Sequence, residues 1–162
     1  MSVTHDIVAT YRGPRAVVRR LLARGRREDM ALLFLLFAMI LVFVAQAPYQ
    51  SRVAHLDPEV PSSARLYWSA MFLVFIMPFA FYVLSMMVWF LSKLAGRRLT
   101  AYQVRLTLFW ALLAMAPVTL LIGLTLGFVG PGLQVQALSV IWIALFFWFW
   151  VSGMIEAEGA GA

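Results

Sequence analysis

Four stretches of this chain, residues 30–47, 66–91, 106–129 and 133–154, contain no Asp, Glu, His, Lys or Arg. At 1.5 Å of rise per residue the second and third would reach about 39 Å and about 36 Å as helices, against a hydrocarbon core about 30 Å thick. A soluble domain can bury one such helix, but four would leave too little polar surface to cover them. The content of 64% apolar and 12% charged residues fits the same reading, since soluble chains average about 45–50% and about 25%. The expected fold class is therefore all-α: a polytopic transmembrane helical bundle of four spans with an N-terminal amphipathic interfacial helix. A basic leader (1–29), a transmembrane domain (30–155) and a flexible tail (156–162) would divide the chain.

The third stretch organises the rest. Pro117 has no amide proton, so the carbonyl of Leu113 loses its helical partner and needs another donor or a kink. Thr107, Ala111, Met115, Thr119, Gly123 and Gly127 follow at intervals of four, a mostly small-residue ridge along one face. Pro117, Thr119, Gly123 and Gly127 are thus candidate packing residues, toward a partner protein, a second copy, or the chain's own other helices.

In the leader, Val17, Val18, Leu21 and Leu22 share one arc of a helical wheel, and Arg15, Arg19, Arg20, Arg24, Arg26 and Arg27 take the remainder. Pro14 suits a first helical turn. Such a helix is expected to lie in the interface plane, leucines among acyl chains and guanidiniums on anionic headgroups. Arg97 and Arg98, in the second connection, are further headgroup candidates. The clustering speaks for a membrane surface and not for nucleic acid. The first apolar run is too long, and follows too long a leader, to be a cleaved signal peptide.

Residues 48–65 carry three prolines and read as a loop with short turns. His55, Asp57 and Glu59 alternate there, a metal-ligand set weighed against a plain solvated loop. Of the thirteen basic residues, eleven fall in the leader and the second connection, and the positive-inside rule puts leader and tail in the cytoplasm. Tyr49, Tyr67 and Trp68 would ring the outer interface, and Trp89, Trp110, Trp148 and Trp150 the inner one.

The charge-free spans offer no proton relay and no charged-substrate site. Ser69, Ser85, Ser139 and Ser152 have no His or Lys in their own spans and read as packing or back-bonding hydroxyls. With no cysteine and no ligand cluster, neither a cofactor nor a metal is expected. The function expected is non-enzymatic: a scaffold, assembly factor or accessory subunit acting through helix packing on anionic lipids and on a membrane-protein partner or a second copy. The alternative is a small oligomeric transporter or channel for neutral solutes.

YRGPRAVVRRLLARGRREDMALLFLLF places a proline ahead of an amphipathic segment entering the bilayer. GRRLTAYQVRLTLFWALLAMAP joins a Gly-containing polar connection to a helix whose first half ends in proline, and an aromatic-rich span closes the chain. Over about residues 10–154 this pattern resembles a bacterial member of the YIP (Ypt-interacting protein) family of polytopic membrane proteins. That family usually has about five spans, where four are counted here. Its eukaryotic relatives are linked to Rab-type GTPases and vesicle traffic, and Tyr11-Arg12-Gly13-Pro14 echoes only part of their cytosolic motif, so the GTPase role is not carried over. The preference for Arg over Lys resembles a GC-rich bacterial genome and implies a bacterial inner membrane.

Overall fold

The computed structural model describes residues 3–56 and 62–160. Among them eight α-helices follow one another: α1 Val3–Thr10, α2 Pro14–Leu22, α3 Glu28–Leu56, α4 Ser62–Met71, α5 Met77–Leu94, α6 Ala101–Ala114, α7 Ala116–Phe128 and α8 Leu133–Gly159. A π-helical turn, Phe72–Ile76, joins α4 to α5. No strand occurs among the described residues. Glu28–Leu56, Ser63–Leu94 and Leu133–Gly159 are long and apolar enough to cross a membrane; α6 and α7, bent by 43°, add a fourth crossing if the pair is counted as one span.

At the centre stands α6. Every residue from 102 to 114 except Arg105 and Leu112 is buried, with α3, α5, α8 and the end of α1 packed around it. Phe34 of α3 meets Trp110 edge-on at 5.0 Å, and Tyr82 of α5 lies 5.1 Å from Phe109. The helix starts on a capping box: the Thr100 hydroxyl accepts from the Gln103 amide at 3.2 Å, and the Gln103 side chain accepts from the Thr100 amide at 2.8 Å. The polar connection before it is therefore shorter than the expected 92–105, running only over 95–100.

The break expected at Pro117 falls two residues earlier, at Met115, which leaves Pro117 in the first turn of α7, where its missing amide proton would be unpaired anyway. The Ala114 carbonyl ends α6, where a helix has no amide of its own to offer. The Tyr11 hydroxyl donates to it at 2.9 Å.

Beyond the break, α7 lies along α3. A Cβ at Gly123 would stand 1.9 Å from the Ala45 carbonyl oxygen, and one at Gly127 would stand 2.3 Å from the Pro48 Cβ. Without a hydrophobic drive between helices in lipid, such backbone proximity and its van der Waals contact hold the pair together. It also corrects the expected loop over 48–65. α3 continues through Pro48 to Leu56, and α4 begins at Ser62; the proline ring packs into the space that Gly127 leaves. Asp57 and Glu59, two of the three candidate metal ligands, lie outside the described residues.

Arg52, near the end of α3, donates to the carbonyls of Gly127 at 3.3 Å and Phe128 at 3.4 Å. These are the exposed acceptors of the α7 C-terminus, where a cation is favourable. The chain then turns at Gly130, whose φ of +96° is one that residues with a Cβ avoid.

Candidate membrane-interface site

The leader folds into two short helices joined at Arg12 and Gly13. Val17, Val18 and Leu21 form one face of α2 as the sequence arc implies, but that face does not look outward to acyl chains. All three are buried, at 1%, 2% and 4% exposure, against α8 and the central core. A Cβ on Gly153 of α8 would meet Val18 and Thr107 at 3.3 Å each. The expectation of apolar side chains resting in lipid is thus corrected: a neighbouring helix is as apolar as a lipid tail, and α8 takes the stripe. α1 is tied in as well. The Trp110 indole donates to the Thr10 hydroxyl at 3.1 Å, and Thr10 in turn donates to the Asp6 carbonyl at 2.8 Å. Trp110 is 2% exposed, so it belongs to the core and not to an aromatic girdle.

Several candidate headgroup arginines meet carboxylates from distant parts of the chain. Arg19 Nε lies 2.6 Å from Glu156 and Arg97 lies 2.8 Å from Glu158. Arg20 and Arg24 converge on the buried Asp6 at 3.0 Å and 3.9 Å. Arg26 sits 3.4 Å from Glu28 and Arg27 sits 2.9 Å from Asp29. Arg105 grips Glu28 in fork geometry, at 2.6 Å and 3.1 Å. Among the described residues, Arg15 and Arg98 of the candidate set are left without an ion pair, as is Arg12, which was not a candidate.

The electrostatics follow the pairing. The hydrogen bond from Arg105 holds the Glu28 carboxyl below the usual carboxylate range, against a smaller opposing effect of burial. The hydrogen bond from Arg19 does the same for Glu156 and raises the Arg19 guanidinium in turn. Gln103 adds a neutral tie, donating from Nε2 to the Ala157 carbonyl at 2.8 Å. Glu156, Glu158 and Ala157 thus belong to the last turns of α8, and the expected flexible tail is helical as far as Gly159; residues 161–162 lie outside the described residues. Between the end of α2 and the start of α6 a groove of about 470 Å³ remains, with Arg19, Arg26, Thr100 and Gln103 among its walls.

The other candidates sit elsewhere. Gly123 and Gly127 face α3, as described above. The Thr119 hydroxyl donates to the Met115 carbonyl at 3.0 Å and accepts from the Trp142 indole of α8 at 2.8 Å. Pro117 is exposed. Ser85 and Ser139 donate to backbone carbonyls of their own helices, at 2.7 Å and 2.8 Å. Among the described residues no group of three or more His, Cys, Asp or Glu is placed to hold a metal.

Sequence reasoning missed the acidic half of the site, although a signal was present. Five of the seven acidic residues, Asp6, Glu28, Asp29, Glu156 and Glu158, fall by span parity on the same side as eleven of the basic ones. No family model, curated protein or solved structure matches the chain.

Proposed function

We propose that this is a non-enzymatic, multi-pass protein of a bacterial inner membrane, of the YIP type, serving as a scaffold, assembly factor or accessory subunit. It crosses four times, with α6 and α7 as one broken span and both termini in the cytoplasm. It acts by helix packing and by contacts with anionic lipid.

The observation that carries this reading is the use to which the charges are put. Carboxylates and guanidiniums at one end are joined across the sequence as Arg19–Glu156, Arg97–Glu158 and Arg105–Glu28, while the flanks between the ends are apolar side chains such as Phe75, Phe79, Met86 and Phe90, all more than half exposed. Charges spent on holding helices together, under flanks suited to lipid or to another apolar helix, serve assembly better than chemistry. The channel alternative relies on carbonyls freed by Pro78 and Pro117; at the second break the neighbouring Ala114 carbonyl is tied to Tyr11, which closes part of that break and leaves the Leu113 carbonyl to the channel reading.

Native mass spectrometry and in-membrane crosslinking in mild detergent test the proposal. The expected result is a defined complex, with a second copy or another membrane protein, that retains anionic phospholipid. A chain that is solitary in both measurements would overturn it.

A further inference from the structure

We infer that α1 and α2 form a re-entrant hairpin sunk into the leaflet at the arginine end, whose outer face binds anionic phospholipid through Arg12 and Arg15. This rests on the membrane reading proposed above. The level of the water boundary follows from the charges. Asp29 on α3, Lys93 on α5, Arg105 on α6 and Glu156 on α8 are the charged residues nearest the four charge-free stretches at this end, and the pair of Arg105 with Glu28, next to Asp29, holds α6 and α3 at one height. From there Ala114 is nine residues further along α6, and Phe149 is seven residues back along α8, about 13 Å and about 10 Å inward at 1.5 Å per residue. Tyr11 touches both. Its hydroxyl donates to the Ala114 carbonyl at 2.9 Å and its ring stands edge-on to Phe149 at 5.0 Å. The turn at Arg12 and Gly13 is therefore well below the boundary, while Arg19, two turns up α2, is back at it beside Glu156.

The outward side of the hairpin suits that depth. Val8 is 60% exposed and Ala16 is exposed beside it. A groove of about 370 Å³ runs between the two helices, with Val8, Ala9 and Ala16 along it, Arg12 toward the turn and Arg20 toward the boundary. Arg12 and Arg15 are exposed and make no ion pair among the described residues, and Arg15 reaches back toward the boundary, where, after Arg19, its charge helps to hold the Glu156 carboxyl down. An unpaired guanidinium at that depth extends its apolar stem toward the headgroups and draws phosphates down to it. The chain is thereby two helices broader in this leaflet than in the opposite one.

The chain has no cysteine among its described residues or elsewhere, so single introduced cysteines report without background. Nitroxides at Val8→Cys and Ala16→Cys, with Phe79→Cys and Arg98→Cys as references, are compared for collision with oxygen and with a water-soluble nickel chelate in phosphatidylglycerol-containing vesicles. The expected result is that positions 8 and 16 exclude nickel and favour oxygen more than position 98 does. If they match position 98 while position 79 stays in lipid, the hairpin is in water and this inference fails with the membrane reading intact; if position 79 also admits nickel, both fail. Phosphatidylglycerol retained on the intact chain should fall by about fivefold for each of Arg12→Gln and Arg15→Gln. Unchanged retention in the double variant would overturn the phosphate assignment.

Discussion

Gly123→Ala tests the contact between α7 and α3, the tightest at any glycine among the described residues. The added Cβ would begin 1.9 Å from the Ala45 carbonyl oxygen, whereas close carbon–oxygen contacts lie at about 3.3–3.6 Å. Since the opposing atom is backbone, no rotamer change relieves the clash, and α7 must move away from α3 by about 1.4 Å. A gap of that size forfeits a quarter to a half or more of each dispersion contact it opens, and overpacking of this kind costs about 1–3 kcal/mol. Replacing a mid-helix glycine by alanine returns about 1 kcal/mol of helix propensity. With the clash at the upper end of its range, a net loss of about 1–2 kcal/mol is expected. Titration into denaturing micelles, followed by the emission of the tryptophans, measures it. Gly159→Ala is the control, because a Cβ there meets nothing within 4 Å, and it should leave the midpoint unchanged or raise it slightly. A Gly123→Ala chain as stable as that control would refute the packing argument.

Tyr11→Phe keeps the ring against Phe149 but strands the Ala114 carbonyl; a loss of about 1 kcal/mol is expected in the same titration, and a change below the error of the measurement would contradict the capping role. Arg105→Gln breaks the fork to Glu28, and because Glu28 is 39% exposed the loss should stay near about 1 kcal/mol after solvent screening; crosslinking between residues 28 and 105 would show whether the two helices still meet. The depressed carboxyls of Glu28 and Glu156 stabilise the fold fully above the ordinary glutamate value of about 4.3 and lose that effect as pH falls through their lower native values. Unfolding midpoints measured down through that range should fall, and Glu156→Gln should fall less steeply; equal slopes would deny the pair a part in acid sensitivity.

The four apolar stretches were legible because a run without charge has few meanings at that length. The ridge of small residues was legible too, but its partner was not: Gly123 and Gly127 carry no mark telling α3 from a second copy, and only Ala45 and Pro48 in contact decide it. Pro48 was misleading for a physical reason. A proline costs a helix one hydrogen bond, but here its ring fills the space that Gly127 of α7 leaves open, a contact that no local sequence signal announces, and α3 runs on. The leader was half legible. Its wheel pattern showed a face on α2, but lipid tail and α8 are equally apolar, so the pattern could not say which one covers Val17, Val18 and Leu21. The ion pairs were the least legible feature, since Arg19–Glu156 joins residues 137 positions apart, and nothing local to either announces the other.

The two ends of the bundle are fastened by different chemistries. At one, guanidiniums hold carboxylates that can take up a proton; at the other, Arg52 holds the carbonyls of Gly127 and Phe128, which cannot. Acid therefore acts on the molecule lopsidedly, loosening the leader, the 95–100 connection and the end of α8 while the clasp between α3 and α7 stays shut. Among these contacts, a drop in pH frees the guanidinium-bound end and leaves the carbonyl-bound clasp in place.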